Sequence, residues 1–184
     1  AYALLANGGY EVSPTFIQES SNSIKKKVRR LDSSVVERVI QSLKYVTKTA
    51  GALKKGDVPG YTEVGKTGTV RKLIDGKYSK RHYFSSFVGF CPAKEARFVL
   101  YVGIDEPSTE YVPGWGHLYY GGNNASPVFR EISKQTLKYL GVPQDDPYGD
   151  FENPVVYDPM NADWYSEAKE LQKLYEQWNQ QVEQ

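Results

Sequence analysis

A chain of 184 residues, 40% apolar and 24% charged, has the size of one ordinary globular domain and enough apolar residues to build a core. Its formal net charge is +1, so no global electrostatic case exists for nucleic acid or an anionic membrane as partner. One cysteine, Cys91, excludes an intramolecular disulfide, and no stretch approaches the ~20 apolar residues that span a bilayer.

The chain opens without methionine or a signal-peptide pattern, and Ala1 to Gly9 reads as a helix end with a glycine cap. The expectation is a piece cut from a longer protein. Tyr10 to Pro14 is a short extended connection, and residues 15–31 are polar, serine-rich and basic. The run Lys25-Lys26-Lys27-Val28-Arg29-Arg30 reads as a solvated loop. Asp32 or Ser33 then caps a helix running to about Ala50. Val35, Val36, Val39, Ile40, Leu43 and Val46 recur at three- and four-residue steps along it and form one buried face. Gly51, Gly56, Pro59 and Gly60 make residues 51–60 a loop.

A β block follows. Tyr61 to Leu73 is a first strand, Asp75-Gly76 is a hairpin signal, and Tyr83–Phe90 and Phe98–Ile104 are two further strands. Cys91, at a strand end among apolar residues, reads as a small buried hydrophobe. Residues 107–124 form a loop rich in Gly, Tyr and Trp. Its stretch Tyr111–Tyr120 has the rings to stack on carbohydrate, although packing over the sheet edge is the favoured reading. A helix is expected from about Ala125 to Leu140, packing Val128, Ile132, Leu137 and Leu140 on the sheet. Residues 144–163 are acidic, contain proline and lack periodicity, which describes an extended linker. Trp164, Ala168, Leu171, Tyr175, Trp178 and Val182 then trace a heptad-like seam on a final helix. Docking on the parent protein is its first reading, and a separate partner its second.

Chemistry concentrates in Lys66-Thr67-Gly68-Thr69 on the first strand. Side chains alternate along a strand, so Thr67 and Thr69 share one face and Lys66 and Gly68 the other. An edge strand also offers unpaired N–H and C=O groups to an extended peptide, and a glycine without a side chain lets that peptide come close. A lysine and two hydroxyls in this setting suit an anionic, peptide-like ligand. His82, His117 and Cys91 match no metal-ligand spacing, and no G-x-S-x-G elbow is present.

The order of Lys66–Thr69, Phe84–Ala93, Arg97–Pro107 and Gly121–Phe129 resembles the C-terminal half of the transpeptidase domain of class B penicillin-binding proteins. The resemblance spans about residues 1–143, leaving 144–184 as linker and terminal helix. It implies an α+β fold, an antiparallel sheet packed with helices as in serine β-lactamases. It also implies a peptidoglycan D,D-transpeptidase, cross-linking stem peptides that end in D-Ala-D-Ala through a serine acyl-enzyme, acylated by β-lactams and using no cofactor or metal. On this likeness Thr67 and Thr69 hold the substrate carboxylate and Gly68 belongs to the substrate-binding strand. The Thr69 backbone N–H is one oxyanion-hole donor, and Lys66 supplies positive potential and hydrogen bonds to the proton-shuttle serine. The nucleophile of the S-x-x-K motif and the serine of S-x-N belong upstream, in the N-terminal half of the domain. Formal matches at Ser20-Ser21-Asn22 and Ser23-Ile24-Lys25-Lys26 are in reversed order and abut in a basic loop, so they are read as chance. The resemblance further implies an inner-membrane protein with this domain in the periplasm, working with division or elongation proteins and not with nucleic acid. A D,D-carboxypeptidase or serine β-lactamase, or a non-catalytic binding module using the aromatic loop and terminal helix, remain as alternatives.

Overall fold

Three segments rich in β-branched and aromatic residues pair as one antiparallel sheet. A computed structural model describes residues 1–17, 28–48 and 55–163. Strands β1 (Val64–Ile74), β2 (Lys77–Cys91) and β3 (Phe98–Asp105) follow in the order β1-β2-β3. Helices α1 (Tyr2–Ala6), α2 (Ser33–Lys48) and α3 (Gly121–Tyr139) cover the sheet, and a ribbon of β4 (Tyr111–Val112) and β5 (Gly116–His117) precedes α3. The α+β architecture implied by the resemblance is therefore present. The Asp75-Gly76 turn has positive φ at both residues (50° and 73°), the backbone that this dipeptide favours in a two-residue hairpin.

Strand alternation divides the core between the two faces. On one face Phe87 and Cys91 of β2, with Val102 of β3, meet Ala125, Phe129 and Leu137 of α3. The Phe87 and Phe129 rings lie 4.7 Å apart and both are fully buried, a contact stabilising by about 1.5–3 kcal/mol per ring. On the other face Val64 and Phe90 meet Ile40 and Leu43 of α2, and Tyr2 and Leu5 of α1. The sheet is thus a middle layer.

Several boundaries differ from expectation. Strand β1 starts at Val64, three residues later than Tyr61, and β2 starts at Lys77, because hairpin pairing extends the polar stretch Lys77–His82 as a two-stranded ribbon. Helix α3 begins at Gly121 rather than Ala125. Its buried face is Ala125, Phe129, Ser133 and Leu137, whereas Val128, Ile132 and Leu140 are 40%, 42% and 44% exposed. Phe129 rotates the helix, because its large ring fills the space above Phe87.

Residues 144–163 do not run free. They form a 3-10 turn at Pro147–Gly149 and return to the start of β1. Asp146 N–H donates to Gly60 O at 3.1 Å, and Tyr61 Oη donates to Val142 O at 2.7 Å. Gly60 has φ +78°, a backbone that favours glycine, and the Gln144 side chain packs directly over it. Asp163 closes the path with an ion pair to Lys44 of α2. The seam from Trp164 to Val182 lies outside the described residues.

Candidate active site

Lys66 to Thr69 lie on β1, which among the described residues pairs on one side only, with β2. Lys66 is exposed, and its Nζ donates to Thr67 O at 3.2 Å and to Thr67 Oγ1 at 3.3 Å. The Thr67 carbonyl is therefore reached from the open edge. In an antiparallel strand, backbone groups two residues apart point the same way, so the Thr69 N–H is directed to that edge as well.

Thr67 and Thr69 lie on the α3 face, and Lys66 and Gly68 on the α2 face. Gly65 shows the first placement, because a Cβ there would strike the Phe87 ring. Gly68 shows the second, because its Cβ would lie 2.6 Å from Ser86 Oγ on β2. A side chain at 68 would require the Ser86 hydroxyl to turn aside.

Helix α3 supplies a partner that sequence reasoning missed. Gly121 N–H donates to Thr69 Oγ1 at 3.1 Å. An oxygen that already accepts keeps its own proton to donate, and the same holds for Thr67 Oγ1 beneath Lys66 Nζ. Two hydroxyl donors and an ammonium group thus lie together at the edge of β1. This arrangement has the charge and the donors that a carboxylate requires. The approach depends on glycine, since a Cβ on Gly121 would lie 2.4 Å from Ser86 O and 2.7 Å from Gly68 O. Gly121→Ala is expected to cost about 1–3 kcal/mol by overpacking. Denaturant unfolding checks this, and an unchanged midpoint would show that α3 is not held against the strands.

A buried ionic cluster anchors the start of β1 from the α2 side. Lys48 Nζ lies 2.5 Å from Asp57 Oδ1 and 3.3 Å from Glu63 Oε2, and donates to Tyr61 O at 3.2 Å. Burial alone would depress the Lys48 ammonium, but Glu63 and Asp57 outweigh it and hold the group above its ordinary range. Glu63 is fully buried, and burial raises its carboxyl to about 7 against the opposing pull of Lys48. Its Oε2 also accepts Val58 N–H at 3.2 Å. The partners come from three separate segments, so no local pattern signals the cluster.

The remaining candidates have structural roles. Cys91 is fully buried, its Sγ donates to Thr62 O at 3.2 Å, and burial pushes its thiol well up. His82 Nδ1 lies 3.4 Å from Glu106 Oε1, and His117 packs edge-on to Tyr111. The aromatic loop covers the sheet, as favoured: Tyr119 stacks on Tyr83 at 4.2 Å, and Trp115 Nε1 donates to Asn123 O at 2.8 Å. The matches Ser20-Ser21-Asn22 and Ser23–Lys26 lie outside the described residues.

Residues 1–134 match the family described as the penicillin binding protein transpeptidase domain. The chain belongs to that family. It is 35% identical over 147 residues to a protein named probable peptidoglycan D,D-transpeptidase PenA of Neisseria flavescens, covering 80% of this chain and 34% of that one. Stage V sporulation protein D of Bacillus subtilis is 30% identical over 151 residues, covering 77% and 22%. Among solved structures, the apo TP domain of penicillin-binding protein 3 from Burkholderia pseudomallei superposes with a TM-score of 0.68. There the identity is 32% and the coverage 79% of this chain and 42% of that one. The chain therefore spans about a third or less of the two curated relatives.

Proposed function

We propose that this chain is the K-T-G half of a peptidoglycan D,D-transpeptidase. The observation that carries the reading is the open edge of β1, where Lys66, Thr67 and Thr69 present an ammonium group and two free hydroxyl protons beside the Thr69 N–H. In this role the hydroxyls of Thr67 and Thr69 hold the terminal carboxylate of a D-Ala-D-Ala stem peptide, or that of a β-lactam. The peptide lies along β1 as an added strand, and Gly68 keeps that strand flat against Ser86. Thr69 N–H stabilises the oxyanion of the tetrahedral intermediate, and Lys66 lowers the cost of negative charge around the shuttle serine. The nucleophile and shuttle serines come from the upstream half of the domain, so Ser23 takes no part. Residues 1–143 then belong to the transpeptidase domain and 144–184 follow it. The whole protein would sit in the bacterial inner membrane with this domain in the periplasm, serving division or elongation.

Intact mass after incubation with benzylpenicillin tests the reading. The chain alone is expected to gain no adduct, and the chain joined to its upstream half to gain one per molecule. A stoichiometric adduct on a serine of this chain alone would overturn the half-site assignment.

A further inference from the structure

Thr62 lies four residues before Lys66, at the meeting point of three segments. Its hydroxyl oxygen accepts Ala93 N–H at 2.9 Å, and its carbonyl accepts the same N–H at 3.0 Å, tying the root of β1 to the residues just past β2. From the other side the Asp145 carboxylate takes both remaining donors. Thr62 N–H reaches Asp145 Oδ1 at 2.9 Å, and Thr62 Oγ1–H reaches Asp145 Oδ2 at 2.5 Å. Asp145 belongs to the segment after α3, which is also fastened to residues 60 and 61 by Asp146 N–H on Gly60 O and by Tyr61 Oη on Val142 O.

We infer that Asp145 is a positioning residue for the Lys66–Thr69 segment. The inference rests on the transpeptidase reading above. An edge strand is held laterally by one neighbour, so its placement depends on how its ends are fixed. β1 begins two residues after the Thr62 anchor and runs straight into Lys66 and Thr69. The neighbouring Glu63 is pinned towards α2 by Lys48 and Val58, so consecutive residues are held from different quarters. Removing Asp145 leaves Thr62 tied only to the end of β2, through Ala93 and Cys91, and lets the oxyanion donor and both hydroxyls drift together. Displacement of reacting groups by about 1 Å is enough to cost up to 100-fold in rate.

The test uses the transpeptidase with its upstream half restored, acylated by a fluorescent penicillin well below the melting temperature. Saturation kinetics separate the acylation rate from encounter affinity, and thermal unfolding is recorded for each variant. Asp145→Ala is expected to slow the acylation step about tenfold or more with little change in encounter affinity. Asp145→Asn should restore the rate, since its amide accepts Thr62 N–H and donates to Thr62 Oγ1. Leu137→Ala, in the core beneath α3, should lower the melting temperature yet keep the rate. A wild-type rate in Asp145→Ala, or slowing of Leu137→Ala in proportion to its lost stability, would overturn the inference. Should Asp145→Ala not fold, Thr62→Val and Thr62→Ser form the second pair. The valine variant is expected to be slow and the serine variant normal, and equal rates in the two would overturn it. Lys66→Ala runs in parallel: if it acylates normally, the transpeptidase reading fails, whatever Asp145 does.

Discussion

Lys66→Ala in the completed transpeptidase is expected to cut acylation by a β-lactam about 100-fold or more, the scale of losing a preorganised electrostatic donor. Lys66 is exposed on the open edge of β1 and its described contacts are both to Thr67, so its removal leaves no buried partner behind. Stability should therefore stay near the parent value while the chemistry slows. Stopped-flow acylation and thermal unfolding, measured on the same preparation, separate the two. A normal rate would remove Lys66 from the site; a large loss of stability would make it a structural residue. Thr69→Val is a companion that keeps the backbone N–H and the shape but deletes both the hydroxyl proton and the acceptor of Gly121 N–H.

The second large effect concerns stability. Lys48→Met would leave Asp57 and the fully buried Glu63 without their cation, and breaking a buried pair in this way costs about 3–5 kcal/mol. Glu63 also imposes a pH dependence. Its carboxyl rises from 4.5 to about 7 on folding, so between those values the native state keeps a proton that the unfolded chain has released. Stability therefore falls as pH rises through this window, and the loss is complete above it. Asp57 is the nearer counter-ion to Lys48, so the ammonium keeps a partner whether Glu63 is ionised or not. Urea midpoints from pH 4 to 8 should decline with pH in the parent and flatten in Glu63→Gln. A parent midpoint that rises across the window would contradict the assignment.

Much of this was legible in the residues, where one element carries its own signal. Helix α2 shows a single apolar face, Asp75-Gly76 announces its turn, and the K-T-G-T strand alternates as drawn. Cys91 is buried, as its neighbours suggest. What stayed hidden depends on partners distant in the chain. The start of α3 is Gly121-Gly122-Asn123-Asn124, weak helix formers with no side-chain cap, and it is helical because Gly121 sits on the strands and bonds to Thr69. The rotation of α3 is decided by Phe129 against Phe87, which a list of apolar positions cannot rank. Asp57 and Asp145 lie in segments that read as loop and linker, and Glu63 in the first strand, and only folding brings them to Lys48 and Thr62. Polarity in residues 144–163 suggested a linker, yet its carboxylates are the groups that hold it down.

An unpaired strand edge is open to any extended chain, including a second copy of itself. Beyond Thr69 the same edge continues into the ribbon, where Lys72 is paired with Asp105 and Glu106 while Arg71, Lys77, Lys80 and Arg81 add positive charge. Two copies aligned edge to edge would bring these like charges together, while a stem peptide with a free carboxylate meets no such repulsion. Because that repulsion is screened within ~3 Å at 1 M salt, concentrated salt should make this protein self-associate, the reverse of what an ion-paired dimer would do.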